Sequence, residues 1–559
     1  MTANSAAELT PGCGGRACCR IVVNCAISSA DPAFARFHTS LRRKHIMLAR
    51  FLTFVIACCI LPSPPAHSAD LNLNVRSRTE TEQDSNRYHS LTNRVTWNAA
   101  QTAIVVCDMW DKHWCPTATE RVGQMVPRMN DVITAARKKG VMIIHCPSDT
   151  LDFYKDTPQR RLAMEAPKVE TKVPLQRWCH LDRTVEGDAL PIDDSDGGCD
   201  CEEPFTKNHR AWTRQHPGIT IADNDAVTDS AEAFYLMKQR GVTNVIVMGV
   251  HTNMCVLGRP FSIRQMVQQG QNVVLMRDMT DTMYNPTMAP FVSHFTGTDL
   301  VIDHIEQYWC PTILSTDIIG GDEFRFPADK RKHLVVLCAE QEYRTRESLP
   351  RFAREHLGHD FRVTFVWDDT ADRNSLPGIE AVADADVLLI SVRRRTLPAE
   401  QLKFVRDFVA AGKPVIGIRT ASHAFCLRGK EPPADLENWT TFDKEIFGGN
   451  YTNHHGSGPK TTVTRPAELS PSAAEIIRDI DVRKLVGNGS LYKVSPLTDS
   501  TSPVLLGSIP NAAREPVAWF NKRSDGGTSF YTSLGHIEDF ANVEFQKLLK
   551  NVLLSLARR

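Results

Sequence analysis

The chain has 559 residues, and its 65 basic and 65 acidic side chains give it no formal net charge at pH 7. That balance gives no support for binding to nucleic acid or to an acidic membrane surface. The composition, 42% apolar and 23% charged, is that of a globular protein. The length allows three or four domains of about 150 residues, or two larger ones.

A targeting signal stands some distance inside the chain. A basic start at 47–50 and an apolar stretch at 51–61 form a segment of secretory-signal length that is too short to span a bilayer. We therefore interpret 1–46 as an upstream extension that is not part of the native chain, and 47–69 as a signal peptide cleaved near Ala69. This interpretation predicts export to a periplasmic or extracellular space, with no stable membrane span.

Strands and helices alternate through the rest of the chain. In the first half, apolar runs typical of buried strands occupy 102–107, 141–145, 218–221, 245–248 and 272–276, and helical spacing occupies 122–139, 229–240 and 259–269. Such alternation predicts parallel sheets covered on both faces by helices. We predict an α/β fold with two doubly wound, three-layer parallel-sheet domains in tandem.

Ligands of such sheets bind beyond the carboxyl ends of the strands, and this chain places a carboxylate and a thiol there. Asp108 follows the first strand, and Cys255 follows 245–248 through a tight turn into a helix. A thiol at a helix N-terminus is favoured as thiolate, and a neighbouring carboxylate can carry its proton to a leaving group. Singly, each is as readily a structural residue; together at one edge they favour catalysis.

The residues around these positions resemble the isochorismatase-like cysteine hydrolases over about 98–315. The resemblance rests on Asp108 after its strand, on Gly249-Val-His-Thr-Asn-Met-Cys-Val256 and on the strand ending at Asp278. It implies hydrolysis of a small amide or a related C–N or C–O bond, with Asp108 as acid and base and Cys255 as nucleophile. It also implies an oxyanion hole at the amides of Met254 and Cys255, a cis peptide before the Thr-containing turn, and a capacity for homo-oligomers.

The chain departs from that family at the catalytic lysine. Residues 222–225 are Ala-Asp-Asn-Asp where the lysine is expected, and the nearest basic candidates are Lys207, Arg210 and Arg214. We predict that Arg214 reaches the site and lowers the pKa of Cys255.

Neighbouring side chains are predicted to line a pocket for a small-molecule substrate. The predicted substrate contacts are Trp110, His113, His251, Thr252, Asn253 and Met254. Residue types that bind divalent metals also occur here, namely Asp111, His113, His145, Asp149 and His251, but their spacing matches no clear ligand motif. We therefore predict no metal ligands and no required cofactor, with a divalent metal as the alternative.

The cysteines follow no regular framework. Sixteen are present, and the one close pair after residue 60, Cys199 and Cys201, lies in the acidic loop 193–203. A metal site, a disulfide and a solvated loop are all open for this pair, and we favour the loop.

A predicted linker at 316–332 precedes a second α/β half. Residues 333–559 resemble the ThuA-like, trehalose-utilisation branch of the class I glutamine-amidotransferase fold, because of Gly535-His536, Phe540 and a C-terminal helix. The turn after strand 414–418 occupies the place of a nucleophile elbow but holds no cysteine. The resemblance implies a carbohydrate ligand. The candidate pocket residues are Arg419, His423, His454, His455 and His536.

Two classes of function follow. The first is an exported cysteine hydrolase with a carbohydrate-related second domain. The second is a catalytically decayed two-domain protein that binds carbohydrate or another ligand. A cationic nitrogen within about 4–6 Å of the Cys255 sulfur favours the first, and Asp223 and Asp225 alone at that place favour the second.

Overall fold

The computed structural model describes residues 70–202, 206–207 and 209–558. The predicted upstream extension at 1–46, the signal peptide at 47–69 and the cleavage site near Ala69 lie outside the described residues. Among the residues that are described, no helix is long and apolar enough to cross a membrane.

Eight strands form the sheet of the first domain. They are Asp70–Glu80 (β1), Tyr88–Asn98 (β2), Thr102–Cys107 (β3), Met142–Cys146 (β4), Ala226–Val227 (β5), Asn244–Val250 (β6), Asn272–Asp281 (β7) and Thr312–Ile313 (β8). Their order is β2-β1-β8-β7-β6-β3-β4-β5, and the run from β8 to β5 is parallel. Strand β1 of the hairpin β1-β2 pairs antiparallel with β8. The hairpin covers residues 70–98, so the sheet begins well before the predicted domain start at residue 98.

Helices cover both faces of this sheet. They are Pro116–Lys138 (α1), Leu151–Tyr154 (α2), Pro158–Met164 (α3), Arg183–Glu186 (α4), Glu232–Gln239 (α5), Cys255–Gly258 (α6), Ile263–Gln268 (α7), His294–Tyr308 (α8) and Thr316–Ile319 (α9). Alternate residues of β3 enter different cores: Val105 packs in one apolar cluster and Ile104 in the other. Burial on both sides explains why β3 is an uninterrupted apolar run.

One predicted strand is a correction. Residues 218–221 form no strand, and the strand at this edge of the sheet is β5. Ile219 is buried in the same apolar cluster as Met129 of α1. The apolar run at 218–221 is therefore explained by burial against a helix, which a periodicity argument cannot distinguish from strand pairing.

Among the described residues, the second domain has a main sheet of nine strands and two small sheets of two strands each. Its strands are Lys332–Ala339 (β9), Phe361–Trp367 (β10), Val387–Val392 (β11), Leu397–Pro398 (β12), Val415–Ile418 (β13), Leu436–Glu437 (β14), Asn453–His454 (β15), Thr461–Thr464 (β16), Val486–Gly487 (β17), Tyr492–Lys493 (β18), Thr501–Ser508 (β19), Glu515–Lys522 (β20) and Thr528–Thr532 (β21). Its helices are Thr345–His356 (α10), Ala399–Ala410 (α11), Pro471–Ile476 (α12) and Val543–Ala557 (α13).

The main sheet of this domain is parallel at one side and antiparallel at the other. Its order is β10-β9-β11-β13-β21-β20-β19-β16-β17, parallel from β10 to β21 and antiparallel beyond. The predicted α/β class is confirmed for both domains, and antiparallel strands widen each parallel sheet.

The segment predicted as a linker is packed against the first domain. Phe324 and Phe326 contact the apolar cluster of that domain. Arg331 forms ion pairs with Asp299 and Asp329, each at 2.8 Å. Residues 316–332 are therefore held by the first domain before the chain enters β9.

Candidate active site

The carboxyl ends of β3 and β6 bring Asp108 and Cys255 together. The two strands are neighbours, with Cys107 opposite Gly249. Gly249 has φ +114°, and a Cβ at this position would lie 2.0 Å from the Cys107 carbonyl oxygen. Glycine is therefore needed for the strands to approach here, and this approach places the carboxyl beside the thiol.

Asp108 presents one satisfied and one free oxygen. The residue is fully buried with φ +47°. Its Oδ1 accepts a hydrogen bond from Ser148 N–H at 2.7 Å. Its Oδ2 has no hydrogen bond of good geometry among the described residues and lies 3.5 Å from Arg259 Nε. Burial raises the pKa of this carboxyl, while Arg259 and Cys255 act to lower it.

The surroundings of the Cys255 thiol act on its pKa in opposite directions. Burial raises its pKa well above the ordinary value, the Asp108 carboxyl raises it further, and Arg259 lowers it. Because α6 is a single turn, the favourable effect of a helix N-terminus on the thiolate is outweighed here. A thiol in these surroundings would need a base, such as the neighbouring Asp108 carboxyl, to form the thiolate.

The cation at the site is Arg259, which the sequence analysis did not select. Its guanidinium lies 3.5 Å from Asp108 Oδ2 and 3.5 Å from Asp149 Oδ2, and it also lies over the Trp178 ring. Burial alone would lower its pKa, but Asp108 and Cys255 raise it above the ordinary value. The guanidinium therefore stays charged.

Arg214, the predicted cation, contacts the Phe153 ring and the backbone of Asp111. Its guanidinium stands over the Phe153 ring, 5.3 Å from the centroid. Asp111 N–H donates to Arg214 O at 3.0 Å, so backbone pairing fixes this segment beside 109–111. The acidic run at 222–225 is also occupied, because Asp225 forms an ion pair with Arg137 at 2.7 Å.

One of the two predicted oxyanion donors remains available. Met254 N–H donates to His251 O at 2.9 Å. Cys255 N–H donates to no carbonyl or side chain among the described residues. The Val250–His251 peptide before this turn is cis, as the resemblance implied. The Cys255 N–H is thus the one of the two predicted donors that has no partner within the described residues.

An aromatic wall stands next to these groups. The Trp110 and Trp212 rings stack with centroids 4.3 Å apart, and His113 lies 5.8 Å from Trp212 at an interplanar angle of 9°. Trp212 comes from the long insertion before β5 and was not predicted. Burial lowers the pKa of His113 to about 4, and Cys115 N–H donates to its Nδ1. The His113 ring is therefore neutral, with its proton on Nε2.

The four predicted contacts in the nucleophile turn divide into two groups. His251 is buried, its Nε2 has no partner among the described residues, and burial lowers its pKa well below the ordinary value. Its ring meets His113 edge-on at 4.9 Å, and Met254 is partly buried against the same core as Cys255. These two remain candidates for contact with substrate.

Thr252 and Asn253 are already used by the fold. The Thr252 hydroxyl lies 2.7 Å from the Thr280 hydroxyl. Asn253 Nδ2 donates to Asp194 Oδ2 at 2.7 Å, and its Oδ1 accepts from Met283 N–H at 2.9 Å. Both side chains therefore have partners within the fold, and their assignment as substrate contacts stays a prediction.

A disulfide and a buried ion network attach the acidic loop to the site. Cys115 and Cys199 form the disulfide, so the favoured interpretation of this loop as merely solvated is corrected. Arg121 bridges Asp200 and Asp281, each at 2.8 Å. The Asp281 carbonyl accepts from Thr252 N–H at 2.8 Å, which connects the network to the turn that carries Cys255.

Reduction of this disulfide is expected to lower the stability of the first domain. The bridge joins residues separated by 84 positions, and a disulfide typically stabilises a fold by about 2–4 kcal/mol, with more expected for longer loops. Thermal unfolding with and without dithiothreitol measures the effect, and Cys199→Ser reproduces it without reductant. A Cys201→Ser variant serves as the control, and an unchanged midpoint for Cys199→Ser would contradict the prediction.

Two of the residues considered for a metal, His145 and Asp111, have other partners. His145 contacts Gln215 at 2.9 Å and Asp225 at 3.1 Å. Asp111 accepts from the backbone and hydroxyl of Thr213. Within the described ranges, no three His, Cys, Asp or Glu side chains are grouped as metal ligands.

The second domain holds an arginine at its elbow. Arg419 follows β13 with φ +45° and is buried, and His423 lies buried at the end of the same turn. Tyr343 contacts both this turn and the segment before α13. Its hydroxyl accepts from Arg419 Nη2 at 3.2 Å, and its ring meets that of His536 edge-on. His454 is exposed on a small separate sheet.

Comparison with known proteins follows this division of the chain. Residues 333–554 match the family model described as ThuA, trehalose utilisation. No curated protein matches the chain.

Among solved structures, the chain is similar to a ThuA-like protein from Bacteroides uniformis ATCC 8492, at 16% identity and a TM-score of 0.31, covering 42% of this chain and 95% of that one. It is similar to a cysteine hydrolase from Pseudomonas syringae pv. phaseolicola 1448A at 16% identity and a TM-score of 0.25, covering 40% and 92%. An isochorismatase from Pseudomonas putida KT2440 is similar at 13% identity and a TM-score of 0.24, covering 39% and 91%. These likenesses are too distant to carry an argument about activity. The expected resemblance to the ThuA family is confirmed for residues 333–554, and similarity to cysteine hydrolases and isochorismatases is found as well.

Proposed function

We propose that the first domain hydrolyses a small amide, or a related C–N or C–O bond, with Cys255 as nucleophile. The observation that carries the proposal is the buried group of Cys255, Asp108 and Arg259. A thiol, a carboxyl with a free oxygen and a permanent cation are the parts that covalent acyl transfer needs. Arg259 supplies the positive charge that the family pattern assigns to a lysine.

The proposed reaction begins with proton transfer. As the Cys255 sulfur forms a bond to the substrate carbonyl carbon, its proton passes to Asp108 Oδ2, and Cys255 N–H donates to the carbonyl oxygen as it becomes an oxyanion. Asp108 then returns the proton to the leaving nitrogen, and the C–N bond breaks. Water attacks the thioester, Asp108 accepts its proton, and the thiol reforms with release of the acid.

Arg259 favours the ionised carboxylate before attack and the thiolate during it. Its charge stabilises both anionic forms at short range in a buried site. Because its pKa is raised, it contributes a fixed charge and takes no part in proton transfer. This positive charge beside the thiol opposes the alternative that the site has decayed to binding only.

The surroundings favour a small substrate without charge at the reacting group. Trp110, Trp212 and the neutral rings of His113 and His251 offer flat apolar surface and few donors. Burial lowers the pKa of both histidines, so neither supplies a counter-charge near neutral pH. We assign small carboxamides as the first substrates to examine.

We also place the protein in an oxidising compartment, with carbohydrate as the ligand class of the second domain. The Cys115–Cys199 disulfide supports export, since such bonds persist mainly outside the cytosol. The match of 333–554 to the trehalose-utilisation family supports carbohydrate.

Hydrolysis is expected to rise with pH on the acid side and then stay level past neutrality. Activity requires the Asp108 carboxylate, whose pKa is raised above 3.8 by burial, so activity is gained as pH rises through that pKa. It also requires a protonated thiol, whose pKa lies well above 9.0. A pH profile of kcat/KM measures this, and a fall between pH 7 and 9.0 would contradict it.

The direct test is ammonia release from a panel of aliphatic and aromatic carboxamides by the full chain. We expect turnover by the wild type and by Cys310→Ala, a buried cysteine elsewhere in the same core, and none by Cys255→Ala. An acyl adduct on Cys255 should appear by peptide mass spectrometry. No turnover above that of Cys255→Ala on any amide would favour the binding-only alternative.

A further inference from the structure

Arg419 is a buried cation in the second domain without a carboxylate partner among the described residues. It is 3% exposed. Its Nη1 donates to Ser533 O at 2.6 Å, its Nη2 to Tyr343 OH at 3.2 Å, and its Nε has no partner. Buried arginines are normally paired with carboxylates, so neutral acceptors alone leave an excess of positive charge here.

Three more arginines lie around the same place. Arg393, Arg394, Arg419 and Arg428 all act on buried His423, and together with burial they lower its pKa to about 3. Arg393 forms an ion pair with Glu342 at 2.6 Å. Arg394 leaves its Nε without a partner.

Arg428 also has no carboxylate partner among the residues described. Its guanidinium lies over the Tyr451 ring at 4.7 Å and donates to Thr452 O. The Asp443 carboxyl interacts electrostatically with Arg428, and burial raises the pKa of Asp443 to about 7. The Asp443 carboxyl is therefore only half ionised near neutral pH, and its charge does not balance the positive charges of Arg419, Arg394 and Arg428.

Aromatic rings complete the surroundings. Tyr343 and Tyr492 lie on Arg419, with its guanidinium carbon 4.1 and 4.6 Å from the ring centroids. Tyr451 stacks on His423 with centroids 4.8 Å apart. Cation–π contacts stabilise the guanidinium groups only partly.

We propose that the carboxyl end of the second sheet binds a small ligand carrying an oxyanion, with Arg419, Arg394 and Arg428 as its cationic contacts. A carboxylate, phosphate or sulfate group fits the planar donor geometry of arginine. The inference concerns charge and does not depend on the hydrolase proposed for the first domain. It adds an anionic group to the carbohydrate proposed for this domain.

The test is equilibrium binding to the full chain by calorimetry at low salt. The probes are inorganic phosphate, glucuronate and glucose 6-phosphate, compared with glucose and trehalose. We expect saturable binding of the three anionic probes, weaker binding of the neutral sugars, and loss of affinity as salt is added. Glucose 6-phosphate binding more tightly than phosphate would identify an anionic sugar as the source, and equal affinities a free anion; either result supports the anion site.

The variants use a matched pair of exposed arginines. Arg428→Met removes a cluster arginine that lies on Tyr451, and Arg406→Met removes one outside the cluster that lies on Trp439 at 4.3 Å. We expect Arg428→Met to weaken the binding of anions about tenfold, or about 1.4 kcal/mol, and Arg406→Met to leave it unchanged. Equal effects of the two variants, or binding of glucose as tight as that of glucose 6-phosphate, would overturn the proposal.

Discussion

Asp108→Asn is expected to abolish hydrolysis and, at the same time, to make Cys255 more reactive toward iodoacetamide. The Asp108 carboxyl raises the pKa of the thiol and Arg259 lowers it. Removing the carboxylate leaves the cation alone beside the sulfur, so the thiolate becomes more populated near neutral pH. Hydrolysis still fails because no group carries the proton to the leaving nitrogen, a loss of about 10²–10⁴-fold.

The measurement follows alkylation of each cysteine by peptide mass spectrometry across pH. At pH 7 we expect Cys255 of Asp108→Asn to react at least about tenfold faster than in the wild type, since each unit of pKa changes the thiolate fraction about tenfold. Arg259→Gln should slow the reaction. Cys310 is buried away from the carboxylate and should be unaffected by either change.

Asp108→Asn is expected to lower hydrolysis while raising the alkylation rate of Cys255. These opposite changes distinguish a role in proton transfer from a purely structural one. A side chain that merely supports the fold would, when replaced, lower activity and expose cysteines generally, including Cys310. The Asp108→Asn variant would keep the acceptor for Ser148 N–H, since Oδ1 of the native side chain accepts that bond at 2.7 Å and the amide retains an oxygen there. Alkylation of Cys255 that is unchanged or slower in a folded Asp108→Asn variant would remove Asp108 from its role as base.

The positions of Asp108 and Cys255 could be inferred because strand ends are local in sequence. Each follows an apolar run, and parallel neighbours bring their carboxyl ends to one edge. Arg259 carried a usable signal that was missed: it stands one helical turn after Cys255, where side chains share a face. The family's lysine position before α5 instead favours Arg214 as the cation.

Other parts of the site depend on contacts that no local pattern encodes. Trp212 stacks on Trp110 although about a hundred residues separate them. The contact of Asn253 with Asp194 depends on the position of the acidic loop, which also carries Cys199 of the Cys115–Cys199 disulfide. Pairing among cysteines cannot be read from spacing alone, so the roles of this turn were beyond sequence reasoning.

Asp281→Asn is expected to destabilise the first domain by about 3–5 kcal/mol, the usual cost of breaking a buried ion pair from one side. Asp281 is 1% exposed and contacts Arg121 and His294, each at 2.8 Å. Burial alone would raise the pKa of this carboxyl, but Arg121 and His294 hold it well below its ordinary value. The asparagine leaves the buried Arg121 with only Asp200 to balance its charge.

Equilibrium urea unfolding of both proteins gives the difference in free energy. Asp188→Asn is the matched control, because Asp188 pairs with Arg183 at 4.0 Å on an exposed surface and should change the free energy of unfolding by less than about 0.5 kcal/mol. Since the folded pKa of Asp281 is depressed, its contribution is complete above its unfolded pKa near 3.8 and is lost as pH falls through the folded value. The gap between wild type and variant should therefore be constant at neutral pH and narrow only below that point. A gap that changes as pH falls from 7 to 5 would contradict this prediction.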